Sequence, residues 1–438
     1  MMGFRSFIVD LDVIDLPILG RRYTWYNSNG SSMSRIDRVL VSPEWVDSWG
    51  VCSVWALSRD VSDHCPLVLK TLNNDWGPKP FRFNNHWLTH KNFKKVVEEG
   101  WREQEVSGWM AYVLKEKLRG LKFKLKDWSK VEYGNLEGRV KKLVEDISDL
   151  DVKGETMGLA SEEVVLRKEL FVEFWKLQKF KEANLVQRSR SKWLTHGDAN
   201  SKFFHSCVVA RNKRNSIVAL KDGNNWIESP IQIREMVENF FVNHFKSRNT
   251  LRPNLDGIAF PSVTLEENLL LTEPFSLEEI HKVVKESDGN KSPGPDGFNF
   301  SFLKSCWDLL KGEIRILFDQ FHGIGSLPKC LLAYFVTLIP KVNLPFALGD
   351  FRPISLLGCL YKLIAKVLTN RLAKVMNSLV AGNQSAFIKG RHLVDGVVIV
   401  NEVVDLARRS GKECLILKVD FEKAYDSVEW GFLEYMLK

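Results

Sequence analysis

Paired cysteines are the first thing this sequence lacks. Its seven cysteines, Cys52, Cys65, Cys207, Cys306, Cys330, Cys359 and Cys414, form no C-x-x-C pair and stand at no zinc-ligand spacing from a histidine. A disulfide framework and a structural zinc site are therefore excluded, and a reducing compartment is indicated. Long apolar runs are also missing: no window approaches the roughly 18 uninterrupted apolar residues of a membrane span. The opening "MMGFRSFIVDLDVIDLP" is apolar, but Asp10, Asp12 and Asp15 break it, so it does not read as a secretory leader. Internal repeats and low-complexity tracts are absent. An intracellular chain with no membrane partner is expected, nuclear or cytoplasmic. What remains is globular: 438 residues, 45% of them apolar, suffice for two or three domains with real cores. Lys and Arg outnumber Asp and Glu by 62 to 54, for a net charge of +8. That balance suits a polyanionic partner, and ordinary solubility charge would give the same number.

Texture divides the chain into three. Residues 1–72 hold short β-branched and aromatic runs, "FIVDLDVIDLP", "RRYTWYN", "SRIDRVLVS" and "CSVWALS", bounded by Gly, Asn, Ser and Pro, and predict strands. "NNDWGPKPFRFNN" then reads as a linker. Residues 73–264 turn helical and basic. Leu166, Leu170, Phe174 and Leu177 recur at helical spacing and predict one packing stripe. In "RSRSKWLTHGDANSKFFHSCVVARNKRNS", Arg188, Arg190, Lys192, Lys202, Arg211, Lys213 and Arg214 are interleaved with Trp193, Phe203 and Phe204. Cations neutralise phosphates and aromatic faces stack on bases, so this stretch is the candidate nucleic-acid contact; a solvated basic helix is the competing reading. "SIVALKDGNNWIES" predicts a hairpin turning at Asp222-Gly223.

Residues 265–438 open with Ser276 and Glu279 spaced as a capping box. "GNKSPGPDGFNFSFLK" reads as a rigid exposed loop entering a helix, and "YFVTLIPKV" as a strand. In the helix that follows, Leu360, Leu363, Ile364, Val367, Leu372, Val375 and Met376 form one face, and Lys362, Lys366, Asn370 and Lys374 a wet one. Near the end, "CLILKV" is a continuous apolar run consistent with a strand buried on both faces, delivering Asp420 to its tip. A carboxylate there is costly to bury unless a cation compensates it, so Asp420 is a candidate metal ligand; capping the next helix is the alternative.

The blocks "SPGPDGF", "LIPK", "FRPISLLGCLYKLIAKVLTNRL", "QSAFIKGR" and "KVDFEKAYDSV" occur in that order over about residues 265–438. Together they resemble the reverse transcriptases of non-LTR (LINE-type) retrotransposons. "SKWLTHGDANSKFFH" is similar to the segment that plant elements of this kind carry between endonuclease and polymerase. The resemblance implies an RNA-directed DNA polymerase with an RNA template, a DNA primer or target, and dNTP as partners. By it, Asp420 and the Phe421 carbonyl would bind magnesium, and two such ions would drive an in-line displacement by the primer 3′ hydroxyl. Tyr425 would lie beneath the incoming sugar, Lys341 and Arg352 would hold the triphosphate, and Gln384 and Arg391 would shape the cleft. "SRIDRVLVSPEW" and "SDHCPLVL" resemble the last two motifs of the endonuclease/exonuclease/phosphatase family, which implies that Asp63 and His64 belong to a phosphodiester-cleaving site. Asp63 and His64 are adjacent on a strand, so they point to opposite faces and need not touch.

The implied fold is α/β and α+β, multidomain: residues 1–72 from an endonuclease-type sandwich, 73–264 a mostly helical basic linker, and 265–438 the fingers and start of the palm. The family's early Asn, metal-binding Glu and "GDFN"-like segment do not precede His64, and no "YADD"- or "FADD"-like pair follows Asp420. The expectation is therefore two incomplete sites and a polypeptide without polymerase or nuclease activity. A non-catalytic RNA- or DNA-binding remnant, or a pseudogene product, is the alternative.

Overall fold

The computed structural model describes all residues except 1–6, 9, 10, 12, 50, 51, 72–74, 191–200, 247–254, 343, 418, 420–427 and 438. It divides into two compact units, Met1–Arg234 with Val284–Lys362, and Glu235–Val283 with Leu363–Lys438.

In the first unit the β-branched runs become short strands: β1 (Ile14–Asp15), β2 (Ile18–Leu19), β3 (Trp25–Tyr26), β4 (Met33–Ser34), β5 (Leu40–Val41), β6 (Cys52–Ala56) and β7 (Leu67–Thr71). β6 is buried along its whole length and lies between β2, parallel to it at Ile18↔Val54, and β7, antiparallel at Val54↔Leu69. A strand covered on both faces has no wet side to mark with polar residues, so "CSVWA" shows no clear alternation. Leu16, Ile18, Val41, Val54 and Cys65 close the core on one side. On the other, Leu19 and Trp55 meet Val218 and Ala219. These lead into the hairpin of β8 (Leu220–Asp222) and β9 (Asn225–Ile227), whose two-residue loop starts with Gly223 at φ +56°, as a type II′ turn requires.

Two loop readings are corrected in this unit. "NNDWGPKPFRFNN" is not a free linker, because Phe81 and Phe83 are buried. Phe83 stands 5.4 Å from Trp87, 5.4 Å from Phe302 and 6.1 Å from Phe298 by ring centroids. Each such pair adds about 0.5–1.5 kcal/mol beyond its buried area, so Gly and Pro here shape a packed turn. "SPGPDGF" likewise turns inward, with Gly294, Gly297 and Phe298 buried. A Cβ at Gly294 would lie 2.3 Å from the Leu357 carbonyl carbon, and one at Gly297 2.7 Å from the Phe81 oxygen. The Phe298 amide donates to Asp296 at 3.2 Å, and the Cys359 amide donates to the other oxygen of the same carboxylate. Asp296 thus caps, from far along the chain, the helix beginning at Cys359. Burial raises its pKa, against the opposing pull of the Cys359 and Phe298 amides and of Lys362.

Helices fill the remainder of the unit: Phe93–Arg102, Met110–Tyr133, Leu136–Met157, Ser161–Ser189, Ser201–Asn215 and Trp307–Ile324. The expected stripe along Ser161–Ser189 is buried only toward its C-terminal end, at Leu177 and Phe180, whereas Leu166 is exposed. β10 (Tyr334–Pro340) and β11 (Phe351–Leu357) pair antiparallel, with Pro340 opposite Phe351.

In the second unit, Ile280, Leu363, Ile364, Val367 and Val375 are buried as the helical period predicts. Leu372 is exposed and Arg371 takes the inward position, four residues from both Val367 and Val375. Its guanidinium donates to both oxygens of Glu279 at 2.8 Å and to the carbonyls of Leu271, Glu273 and Pro274, while lying 4.1 Å from the Phe275 ring centre. The Glu279 amide does donate to Ser276 Oγ at 3.0 Å, but the Glu279 carboxylate serves Arg371. The expected strand at "CLILKV" is not formed among its described residues. Leu415 is 95% and Leu417 83% exposed; with no strand paired to it among the described residues, a β-prone run gains nothing from extension.

Candidate functional site

Lys341 and Arg352 sit at the loop end of the β10–β11 hairpin, where the pleat decides which way each points. Leu338, Pro340 and Phe351 are buried, so Ile339, Lys341 and Arg352 occupy the opposite face. Arg352 lies directly across from Ile339, and the Lys341 amide continues the ladder by donating to the Asp350 carbonyl at 2.8 Å. Both cations are exposed and share one face, the placement two phosphate-holding groups need. The Lys341 ammonium donates to the Gly349 carbonyl at 3.0 Å, which steers it back over its own loop.

Three of the basic residues singled out in the sequence come together. Arg188 and Arg190, at the end of helix Ser161–Ser189, and Arg211, on helix Ser201–Asn215, line one open cleft of about 740 Å³. Lys79, Arg82 and Lys291 join them; none carried a local signal, since they stand in other parts of the chain. Arg214 is separate and lines a smaller cavity with Ile14, Leu19, Arg35 and Phe351. Phe204 is buried, which removes it from any base-stacking role. Lys192 and Trp193 lie outside the described residues, as does the side chain of Lys213.

His64 is oriented by a carboxylate, and not by its neighbour. Its Nδ1 lies 2.9 Å from Asp37 Oδ2 and 3.0 Å from Oδ1. Asp63 instead accepts from the Trp25 indole at 2.7 Å, while its carbonyl accepts from the Tyr26 amide at 3.0 Å. Neighbouring residues on one extended segment thus serve opposite sides. Partial burial works to raise the pKa of Asp37, but hydrogen bonds from Thr24 and His64 and the charge of His64 prevail and hold it below the usual carboxylate range. Asp63 is also lowered, chiefly by the Trp25 indole. Sequence reasoning missed Asp37, although it stands inside the "SRIDRV" block.

Arg391 donates to the carbonyls of Ala381 at 2.6 Å, Gln384 at 2.7 Å and Val380 at 2.7 Å, closing the C-terminal end of helix Cys359–Leu379. The Gln384 amide donates to the Ala386 carbonyl at 3.1 Å. Both side chains are therefore occupied in holding their own loop. Asp420, Phe421 and Tyr425 lie outside the described residues. Among the described residues, no three Asp, Glu, His or Cys gather where they could hold a metal, and no helix is long and apolar enough to cross a membrane.

Comparison with known proteins finds similarity to reverse transcriptases and to proteins of transposable elements. Residues 339–438 match the family described as reverse transcriptase (RNA-dependent DNA polymerase). The chain is 28% identical over 423 residues, 92% of its length, to the transposon TX1 uncharacterized 149 kDa protein of Xenopus laevis, of which the match covers 31%. It is 28% identical over 159 residues to the retrovirus-related Pol polyprotein from type-1 retrotransposable element R2 of Nasonia vitripennis, covering 36% of this chain and 15% of that one. It is 26% identical over 202 residues to the probable RNA-directed DNA polymerase from transposon BS of Drosophila melanogaster, covering 43% of this chain and 22% of that one. The chain thus spans a third or less of the length of these relatives. Residues 339–438, which contain Lys341, Arg352 and β11, thus match the reverse transcriptase family, and the chain as a whole is similar to proteins of transposons and retrotransposable elements.

Proposed function

We propose that residues 265–438 supply the fingers and the start of the palm of an RNA-directed DNA polymerase that copies an RNA template from a DNA primer with dNTPs, acting at target DNA in the nucleus. The observation that carries this reading is the shared exposed face of Lys341 and Arg352, inside the segment that matches the family. A planar Arg fork beside a point-charge Lys suits the oxygens of a triphosphate. Asp420 and the Phe421 carbonyl would hold magnesium, which when bound supplies Lewis-acid activation of the primer hydroxyl and neutralises phosphate charge. Tyr425 would pack beneath the sugar and select deoxynucleotides. The test is isothermal titration of the full chain with dTTP and magnesium. Arg352→Ala should weaken binding by about tenfold, the scale of one charge-assisted contact; equal affinity in wild type and variant would sink the reading.

A second reading, for residues 1–72, rests on the His64–Asp37 pair: this stretch derives from the α/β sandwich of the endonuclease/exonuclease/phosphatase family. With Asp37 accepting from Nδ1–H, the proton is fixed on that nitrogen and Nε2 is left to face a phosphodiester. Asp63 would take part from the other side of the same segment.

A further inference from the structure

We infer that the cleft lined by Lys79, Arg82, Arg188, Arg190, Arg211 and Lys291 is a binding site for the phosphodiester backbone of a single nucleic-acid strand, separate from the nucleotide-holding face of the hairpin. This deepens, and rests on, the reading of the chain as a nucleic-acid polymerase. Among the described residues, six cations line the cleft and no carboxylate does. Elsewhere in the same unit, surface cations are met by carboxylates: Lys117 by Glu313, Lys124 by Glu103 at 2.7 Å, Arg139 by Glu173 at 2.7 Å, and Arg167 by Asp151. A merely solvated basic face should look like those. In the cleft the guanidiniums face one another instead. The pKa of Arg190 is lowered by burial against the cleft walls and then by Arg211 and Arg82, with Asp288 opposing more weakly. Arg211 is lowered by burial and by Arg82 and Arg188. Four guanidiniums in mutual repulsion are relieved by an anion, and a run of phosphates relieves several at once.

The walls are built to keep them there. Arg190 has left-handed backbone, φ +55°, ψ +19°, at the C-terminal cap of its helix, where glycine is the usual occupant. Its side chain donates to Ser292 Oγ, and Arg211 donates to the Ser189 carbonyl at 3.2 Å. Gln187 donates to the Phe83 carbonyl at 2.9 Å and accepts from the Asn85 amide at 2.9 Å, tying the segment with Arg82 to the helix with Arg188. Asn85 donates to Asn290 at 2.8 Å, beside Lys291. Elements from three distant parts of the sequence are thus held together by neutral hydrogen bonds, and among the described residues no carboxylate forms an ion pair with these cations.

The experiment is fluorescence anisotropy of the full chain with a labelled 12-nucleotide single strand, as RNA and as DNA of the same sequence, across a series of sodium chloride concentrations. Four neutralised phosphates predict a slope of log affinity against log salt of about −3, and removing two cations should flatten it by about 1.4. Arg190→Gln with Arg211→Gln should lower affinity tenfold or more. Arg190→Lys with Arg211→Lys should restore most of it, which separates lost charge from lost fold, and Arg102→Gln with Arg119→Gln, outside the cleft, should change nothing. RNA and DNA should bind within about threefold of each other, because the backbone carries the contact. Unchanged affinity or slope in the Gln variant overturns the inference, as does a tenfold preference for either nucleic acid. Asp420→Ala should bind the strand as wild type does. Loss there would send the strand to the polymerase centre, whereas failure of dTTP binding alone would leave the cleft standing.

Discussion

Replacing Arg371 with methionine should open the second unit locally by about 3 kcal/mol. The guanidinium is nearly fully buried and makes two bonds of 2.8 Å to Glu279 plus three to the carbonyls of Leu271, Glu273 and Pro274. Methionine fills a similar volume but donates nothing, so the carboxylate and three carbonyls lose their partner together. Removing one member of a buried ion pair costs about 3–5 kcal/mol. Glu279 retains about a quarter of its surface in solvent, so water can recover part of the loss and the low end of that range applies. The assay is hydrogen exchange read by mass spectrometry, because a chain of two units need not unfold in one step. Peptides from helices Leu265–Thr272 and Leu277–Glu286 should exchange roughly 150-fold faster, the equivalent of 3 kcal/mol. Those from helix Met110–Tyr133 should be unaffected. Acceleration below about fivefold would mean that the pair behaves as a surface salt bridge and that the burial argument is wrong. Replacing both partners with apolar residues, Arg371→Met with Glu279→Leu, should recover most of the protection, since no charge is then left stranded.

Asp296 predicts a pH dependence of opposite sign to an ordinary salt-bridged carboxylate. Burial raises its pKa above the unfolded value of 3.8, so the folded state binds the extra proton, and the stability it lends is full below about pH 4 and falls as pH rises through the folded value. Urea midpoints of wild type and Asp296→Asn should therefore shift in favour of the variant as pH rises from 4 toward neutrality, and a constant difference would refute the assignment. Gly297→Ala should cost more than about 2 kcal/mol, because left-handed backbone at φ +82° alone costs about 1–2 and the new Cβ meets the Phe81 carbonyl. Trp87, whose ring centre is 6.1 Å from that of Phe81, reports the change by fluorescence. Gly325→Ala, at φ +69° with open space around it, should cost only the backbone part. Asp37→Asn should shift the His64 ring resonances measured by NMR, since the partner of Nδ1 changes from a carboxylate to an amide; unaltered resonances would remove Asp37 as the orienting group.

What the sequence disclosed and what it withheld divide along the range of the interactions. β6, the hairpin at Gly223 and strand β10 follow from β-branched composition and turn chemistry within a few residues, and each forms where the pattern puts it. The helical stripe holds through Leu363, Ile364 and Val367 and fails at Leu372, because the period carries on to Arg371. A charge standing four residues from apolar neighbours on both sides was a legible signal of a buried pair; only its partner, 92 residues earlier, was not. "CLILKV" shows the converse. Its residues favour a strand, yet a strand exists only with a neighbour, and Leu415 and Leu417 stay in solvent. The same limit explains the candidate sites. Lys341 and Arg352 lie eleven residues apart across one hairpin, so their shared face was within reach of local reasoning. Asp37 reaches His64 over 27 residues, and Arg82 reaches Arg190 and Arg211 only through the aromatic core that draws Phe81 and Phe83 inward. Residue type announces that a charge must be compensated; topology alone decides whether a carboxylate of the same chain or the phosphates of another molecule will do it.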